Sequence, residues 1–191
     1  MIDVVAFDLM DTVVRDPFRD ALVAAVGRPL AEVLALRDRD AWHRFERGEV
    51  SEQEYFSSYE RLHLDVDVFQ RVRRGGYVVL PGMRQLLGDL AGHVLRATAT
   101  NYPVWVEELA TGLLAGLFDQ VIASHHLGVR KPERAFFERL CRAVGTDAGS
   151  VLLVDDRMEN VAGARAAGLH AHPFLGAADL RDRLRREGLP V

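Results

Sequence analysis

FDLMDT, residues Phe7 to Thr12, ends an apolar run that begins at Ile2 as IDVVAF. A short apolar run bounded by a turn signal is the mark of a strand buried on both faces, as in a parallel sheet. This one delivers Asp8 and the turn Met10-Asp11-Thr12 at its carboxyl end. Ligands of open parallel sheets bind beyond that end, so Asp8 is a candidate nucleophile. Met10 stands two residues on, where a second carboxylate would be most useful.

Further runs of the same kind follow: HVLRATAT (93–100), QVIAS (120–124), VLLVD (151–155) and HAHPFL (170–175). Helical segments separate the later ones, at 103–115 and 132–144 with Pro103 and Pro132 in their first turns, and at 159–167 before Gly168. The alternation predicts a doubly wound α/β fold with a five-stranded parallel sheet. Residues 15–92 break the pattern, holding amphipathic helical stretches and no convincing strand. One of them, SEQEYFSSYERLH, opens with the capping box Ser51-x-x-Glu54. The stretch LPGMRQLLGDLAG (80–92) reads as the helix returning to the sheet, which places a helical insert at 15–79 and the main unit at 1–14 and 80–191. Trp42, Phe45, Tyr55, Phe56 and Tyr59 fall in the insert at core spacings, with one or two free to line a pocket. AADLRDRLRREG reads as a last surface helix.

The 191 residues, 49% hydrophobic and 27% charged, suit one globular unit carrying such an insert. A net charge of -4 provides no basic field for nucleic acid or an anionic membrane. No apolar run approaches the roughly 20 residues that span a bilayer. Cys141, the single cysteine, lies on an apolar helix face and has no partner for an internal disulfide; with MIDVVAFD lacking the regions of a secretory signal, a reducing, cytoplasmic setting is expected. Of 24 basic residues only Lys131 is lysine. A compact ammonium differs from a planar guanidinium, so Lys131 stands out as a residue a site could require.

Residues just past each strand form a coherent set: Asp8, then Thr100-Asn101, then Gly128-Val129-Arg130-Lys131-Pro132, then Asp155-Asp156. A carboxylate, a hydroxyl, a lysine and an acidic pair would meet in one crevice. Three carboxylates facing a dianion need a cation, and hard oxygen ligands of this kind suit Mg²⁺. Asp155-Asp156 could instead cap the next helix, and Thr12 could be a turn hydroxyl. His125-His126 reads as a polar loop pair.

Together these motifs resemble the haloacid dehalogenase (HAD) superfamily over nearly the whole chain: FDLMDT its first motif, TATN its second, GVRKPERAFF its third and LLVDDRMENVAGARAAG its fourth. The resemblance implies a Rossmann-like three-layer core with strand order 3-2-1-4-5 and a helical cap inserted after the first motif. Carried over by residue, it makes Asp8 the nucleophile of an aspartyl-phosphate and a Mg²⁺ ligand, alongside the Met10 carbonyl and Asp156, with Asp155 as ligand or supporting base. Thr100 and Asn101 would hold phosphate oxygens, with Thr12 a further substrate contact, and Lys131 would balance the transferring charge. The implied activity is Mg²⁺-dependent hydrolysis of a small phosphorylated molecule.

Met10 departs from the family pattern, in which phosphatase branches carry an aspartate that protonates the leaving oxygen. Its loss is expected to cripple turnover of alkyl phosphates and spare substrates with good leaving groups. Two other readings stay open: a regulatory, non-catalytic binding protein, and a dehalogenase-like hydrolase of carbon–halogen bonds. Phosphonate cleavage by a cap lysine is excluded, since the insert has no lysine. Asp11 takes a place usually given to glycine, which aspartate tolerates because it enters left-handed conformations. The oligomeric state is not legible.

Overall fold

Successive residues of a strand point to opposite faces. In β1 (Val4–Phe7) both sets are buried: Val5 and Phe7 enter one apolar cluster, Val4 and Ala6 another on the far side of the sheet. The computed structural model describes residues 1–191, the side chain of Arg39 excepted. Its sheet is parallel throughout, with β1 between β2 (Leu95–Thr98) and β3 (Val151–Asp155), and β4 (His170–Pro173) beyond β3. Ala6 pairs with Ala97 on one side and with Leu153 on the other.

The expected strand at 120–124 is reduced to two parallel bridges on the free edge of β2, Ala97 with Gln120 and Thr100 with Ala123. Thr98 explains the interruption. Its Oγ1 accepts the Ile122 N–H at 2.7 Å and donates to the Ile122 carbonyl at 2.9 Å, so a side chain takes the N–H that a regular ladder would use, while the carbonyl still accepts a long bond of 3.4 Å from Thr100 N–H. With this edge segment counted, the order matches the 3-2-1-4-5 expected.

Between β1 and β2 lie α1 (Phe18–Val26), α2 (Leu30–Leu36), α3 (Arg39–Glu46), α4 (Glu52–Ser57), α5 (Val66–Gly76) and α6 (Met83–Asp89). Then come α7 (Val106–Thr111), α8 (Ser124–Leu127) and α9 (Arg134–Val144), with α10 (Met158–Ala166) before β4 and α11 (Ala177–Arg186) after it. α7 is shorter than the 103–115 expected and gives way at Gly112. Phe136, Phe137 and Leu140 of α9 and Val161 of α10 cover one face of the sheet; Leu86 of α6, Leu180 of α11 and the α1–α5 segment share the cluster on the other. No helix among the described residues is long and apolar enough to cross a membrane.

The chain leaves and rejoins the sheet region through one short antiparallel contact. Arg15 N–H donates to the Val78 carbonyl at 2.9 Å and Leu80 N–H to the Val13 carbonyl at 2.8 Å. Within the segment, Ser51 and Glu54 close both halves of the capping box, and Phe45 stacks on Tyr55. Arg73 braces it against α7: fully buried, it donates to Glu108 at 2.8 Å and Gln70 at 2.8 Å and lies 4.4 Å from the Trp105 ring centre.

Candidate active site

The carboxyl ends of β1 and β3 and the loop before α9 bring Asp8, Lys131, Asp155 and Asp156 together. Lys131 is almost fully buried, and its Nζ lies 3.0 Å from Asp8 Oδ1 and 2.5 Å from Asp155 Oδ2. A buried ammonium needs such partners, because desolvation penalises the bare charge. Burial acts to lower its pKa, but Asp8 and Asp155 together outweigh that and raise it. Burial pushes Asp8 up to about 7; Lys131 opposes the rise and the Asp155 carboxylate adds to it.

Asp155 is spoken for on both oxygens. Besides Lys131 it accepts the Arg157 N–H at 2.9 Å and the Asn160 amide at 2.9 and 3.1 Å. Asp156, by contrast, is exposed to the cavity and has no ion-pair partner among the described residues, with its pKa raised by burial and by Asp155. Oxygens of Asp8, Asp155 and Asp156 lie within 4.8 Å of one another, a donor set of hard ligands.

Asn101 lines the cavity, and its side-chain amide has a structural partner. Its amide brackets the Lys131 backbone, Oδ1 accepting the Lys131 N–H at 2.8 Å and Nδ2 donating to the Lys131 carbonyl at 2.9 Å. It therefore sets the position of the lysine. Thr12 is fully buried, its hydroxyl has no hydrogen-bond partner among the described residues, and it is not among those lining the cavity. Thr100 does line it, as do Asp8, Met10 and Asn101. Asp11 has the left-handed conformation anticipated for it, with φ of 58°.

The cavity of about 270 Å³ is closed on its other side by the helical segment, through Phe18, Leu34, Trp42 and His43. Several polar residues there were not singled out by sequence reasoning. Glu46, buried in the cavity wall, pairs with Arg130 at 2.8 Å; burial raises its pKa and Arg130 opposes the rise. His43 sits one helical turn before Glu46 and is lowered by burial and by Arg130. Asp16 and Arg37 also reach the cavity. A signal existed for Glu46 and His43: with Trp42 they recur at helical spacing on α3. Of the aromatic residues assigned to the insert, Trp42 reaches the cavity, while Phe45, Tyr55 and Tyr59 are core.

His125 and His126 lie outside the cavity. His126 Nδ1 accepts the Ala123 N–H at 3.1 Å, which leaves the ring proton on Nε2 to donate to Glu107 at 2.6 Å. Cys141 is half-buried rather than enclosed.

A family model for haloacid dehalogenase-like hydrolases matches residues 2–168. The chain belongs to this family. Among the relatives of this HAD-like hydrolase, flavin mononucleotide hydrolase 1 of Arabidopsis thaliana is 31% identical over 192 residues, covering 98% of the chain and 78% of the relative. Phosphoglycolate phosphatase of Rhodospirillum rubrum is 30% identical over 167 residues, covering 84% of the chain and 68% of the relative. The fold is shared with a HAD family enzyme of Bacteroides thetaiotaomicron solved in complex with magnesium and inorganic phosphate, at a TM-score of 0.74 and 14% identity over 91% of this chain and 94% of that one.

Proposed function

We propose that the protein is a Mg²⁺-dependent phosphohydrolase that cleaves a small phosphate ester through an aspartyl-phosphate on Asp8. One observation carries this reading: Lys131 holds Asp8 and Asp155 together at the floor of the cavity. Such a lysine fixes the attacking carboxylate and offsets charge on the group being transferred. The two relatives named for phosphorylated substrates, flavin mononucleotide and phosphoglycolate, support the substrate class. A cavity of about 270 Å³ favours a small leaving group.

The residues fit a divalent metal. Three carboxylates gather around one ammonium that pairs with only two of them, so Asp156 has no ion pair among the described residues and feels Arg157 and Lys131 only at longer range. Asp8, Asp156 and the Met10 carbonyl would hold the ion, with Asp155 orienting Lys131 from behind. Magnesium, when bound, would neutralise the phosphate and favour attack by an anion.

The chain's own groups then divide the work. Asp8 attacks phosphorus, Lys131 offsets the charge that builds, and Thr100 faces the phosphate from the end of β2. We take 15–79 as a cap subdomain on a core of 1–14 and 80–191, excluding water from the aspartyl-phosphate. Its support is the single backbone link at Val13–Arg15 and Val78–Leu80 and the set of cavity residues it contributes.

The test is phosphate release from para-nitrophenyl phosphate by wild type and Asp8→Asn, with Mg²⁺ or EDTA. Release that needs both Asp8 and Mg²⁺ is expected. Absence of any Asp8-dependent turnover, with phosphate still bound, would point to a binding protein. Halide release from a haloacid in EDTA would point to carbon–halogen hydrolysis.

A further inference from the structure

Met10 leaves the proposed reaction without an acid at its usual place, and the cavity offers a short set of replacements. Among its carboxylates, Asp8 is the attacking group and Asp156 belongs to the acidic cluster. Glu46 is committed to Arg130. Asp11 is exposed, and its Oδ1 accepts the Asp16 N–H at 3.0 Å. Asp16 remains.

Asp16 is half-buried on the link between the β1 turn and α1, and it lines the cavity. Its Oδ1 accepts the Phe18 N–H at 3.0 Å, while Oδ2 makes no hydrogen bond among the described residues. The side chain is well anchored: its own N–H is held by Asp11, and Pro17 follows, restricting the backbone at Asp16. One carboxyl oxygen is thus fixed and the other free. In an in-line displacement the leaving oxygen departs opposite the nucleophile. Asp16, Phe18 and Arg19, at the start of α1, line the same cavity as Asp8.

We infer that Asp16 is the general acid and base of this site, in the role that Met10 cannot fill; the inference rests on the phosphohydrolase reading above. As Asp8 Oδ bonds to phosphorus and the P–O ester bond breaks, the Asp16 proton passes to the leaving oxygen and releases an alcohol. In the second step Asp16 takes a proton from water as the water oxygen attacks phosphorus. The Asp8–phosphorus bond breaks, phosphate leaves, and Asp16 is again protonated. The sum is ester plus water giving alcohol plus phosphate.

The surroundings shift Asp16 in the direction a general acid needs. Burial raises its pKa against the Phe18 N–H bond, Asp11 adds to the rise, and Arg19 and Arg157 oppose it. The other titratable groups facing it are the phenols of Tyr77 and Tyr102, both raised by burial and so neutral.

The experiment compares wild type, Asp16→Asn, Asp16→Ser and His43→Gln with Mg²⁺ on two substrates, para-nitrophenyl phosphate and ethyl phosphate. Asn and Ser each keep an acceptor for the Phe18 N–H, so α1 retains its start. A good leaving group needs no proton and ethoxide does. In kcat/KM, which reports only the first step, both Asp16 variants should therefore lose about 10²–10⁴-fold on ethyl phosphate while changing by less than about threefold on para-nitrophenyl phosphate, whose kcat falls because the second step, common to both substrates, has lost its base. The alkaline limb of the wild-type kcat/KM profile on ethyl phosphate should vanish with them. Equal losses in kcat/KM on both substrates would overturn the inference and leave the phosphohydrolase reading standing, as would the selective loss following His43→Gln instead. No phosphate release by wild type from either substrate would sink both.

Discussion

Among the described residues two cations have essentially no exposure, Arg73 at 0% and Lys131 at 1%, and they do opposite things with their charge. Arg73 spreads its donors over Gln70, Tyr77 and Glu108 and lies against Trp105, joining α5 to α7. Lys131 concentrates a point charge on Asp8 and Asp155 at the cavity floor. A planar fork suits a brace with several partners, whereas a compact ammonium suits two carboxylates and a transferring phosphate. The first burial serves packing and the second serves a site.

Exchanging the head groups should separate those uses, and the largest effect is expected at the site. Lys131→Arg keeps the charge but cannot place it between Asp8 and Asp155 without displacing one of them. Asp8-dependent turnover of para-nitrophenyl phosphate should fall by roughly 10²–10³-fold. Arg73→Lys should leave turnover per folded molecule within about threefold. A variant at Lys131 that keeps wild-type kcat would break the comparison.

The next effect concerns a buried pair between the two regions. Arg130→Ala strands Glu46, only 4% exposed, in the cavity wall. Removing one member of a buried pair costs about 3–5 kcal/mol. Glu46 already has a raised pKa with Arg130 present, so it binds a proton more readily folded than unfolded. Stability from such a group is present at low pH and is lost as pH rises through the folded pKa. Arg130→Ala raises that pKa further. Chemical denaturation should therefore show a larger loss at pH 8 than at pH 5; a loss that does not change with pH would mean that Glu46 is not stranded.

Arg73→Met is expected to cost less, about 1–3 kcal/mol. Glu108 is 41% exposed and keeps Arg74, so what is left unpaired is polar rather than charged. A urea midpoint that does not move would show that the brace contributes nothing.

The two cations also differ in how legible they were. Lys131 could be read because it is the only lysine and sits beyond a strand, with acids beyond two others. Arg73 is one arginine among many, and no local pattern says that its turn of helix will face α7. The strands were legible wherever both faces are apolar. Residues 120–124 misled because Thr98, on the neighbouring strand, takes over hydrogen bonds that only the assembled edge reveals. Asn101 was legible only in part: its place beyond a strand puts it at the cavity, but the bonding of its side-chain amide to the Lys131 backbone thirty residues away shows in no local pattern. Asp16 and Glu46 reach the cavity through the path of the helical segment, which periodicity locates but does not orient.

The smallest effect tests whether the site is held at the expense of stability. In metal-free protein Asp8 is raised to about 7 from 3.8, so between those values the folded state binds a proton that the unfolded state has lost. Stability therefore falls as pH rises through that window, and above it the buried carboxylate carries its full penalty despite Lys131. Asp8→Asn removes the charge while keeping an oxygen to accept from Lys131. In EDTA its Tm should exceed that of wild type at pH 8, by about 0.5–2 kcal/mol in stability, and the gap should close toward pH 4. Adding Mg²⁺ should then raise the wild-type Tm more than that of the variant, because a ligand stabilises the state that binds it. A variant less stable than wild type at pH 8 in EDTA would mean that the Lys131–Asp8 contact is net stabilising. Lys131 would then act as a structural cation like Arg73, and the contrast between them would fail.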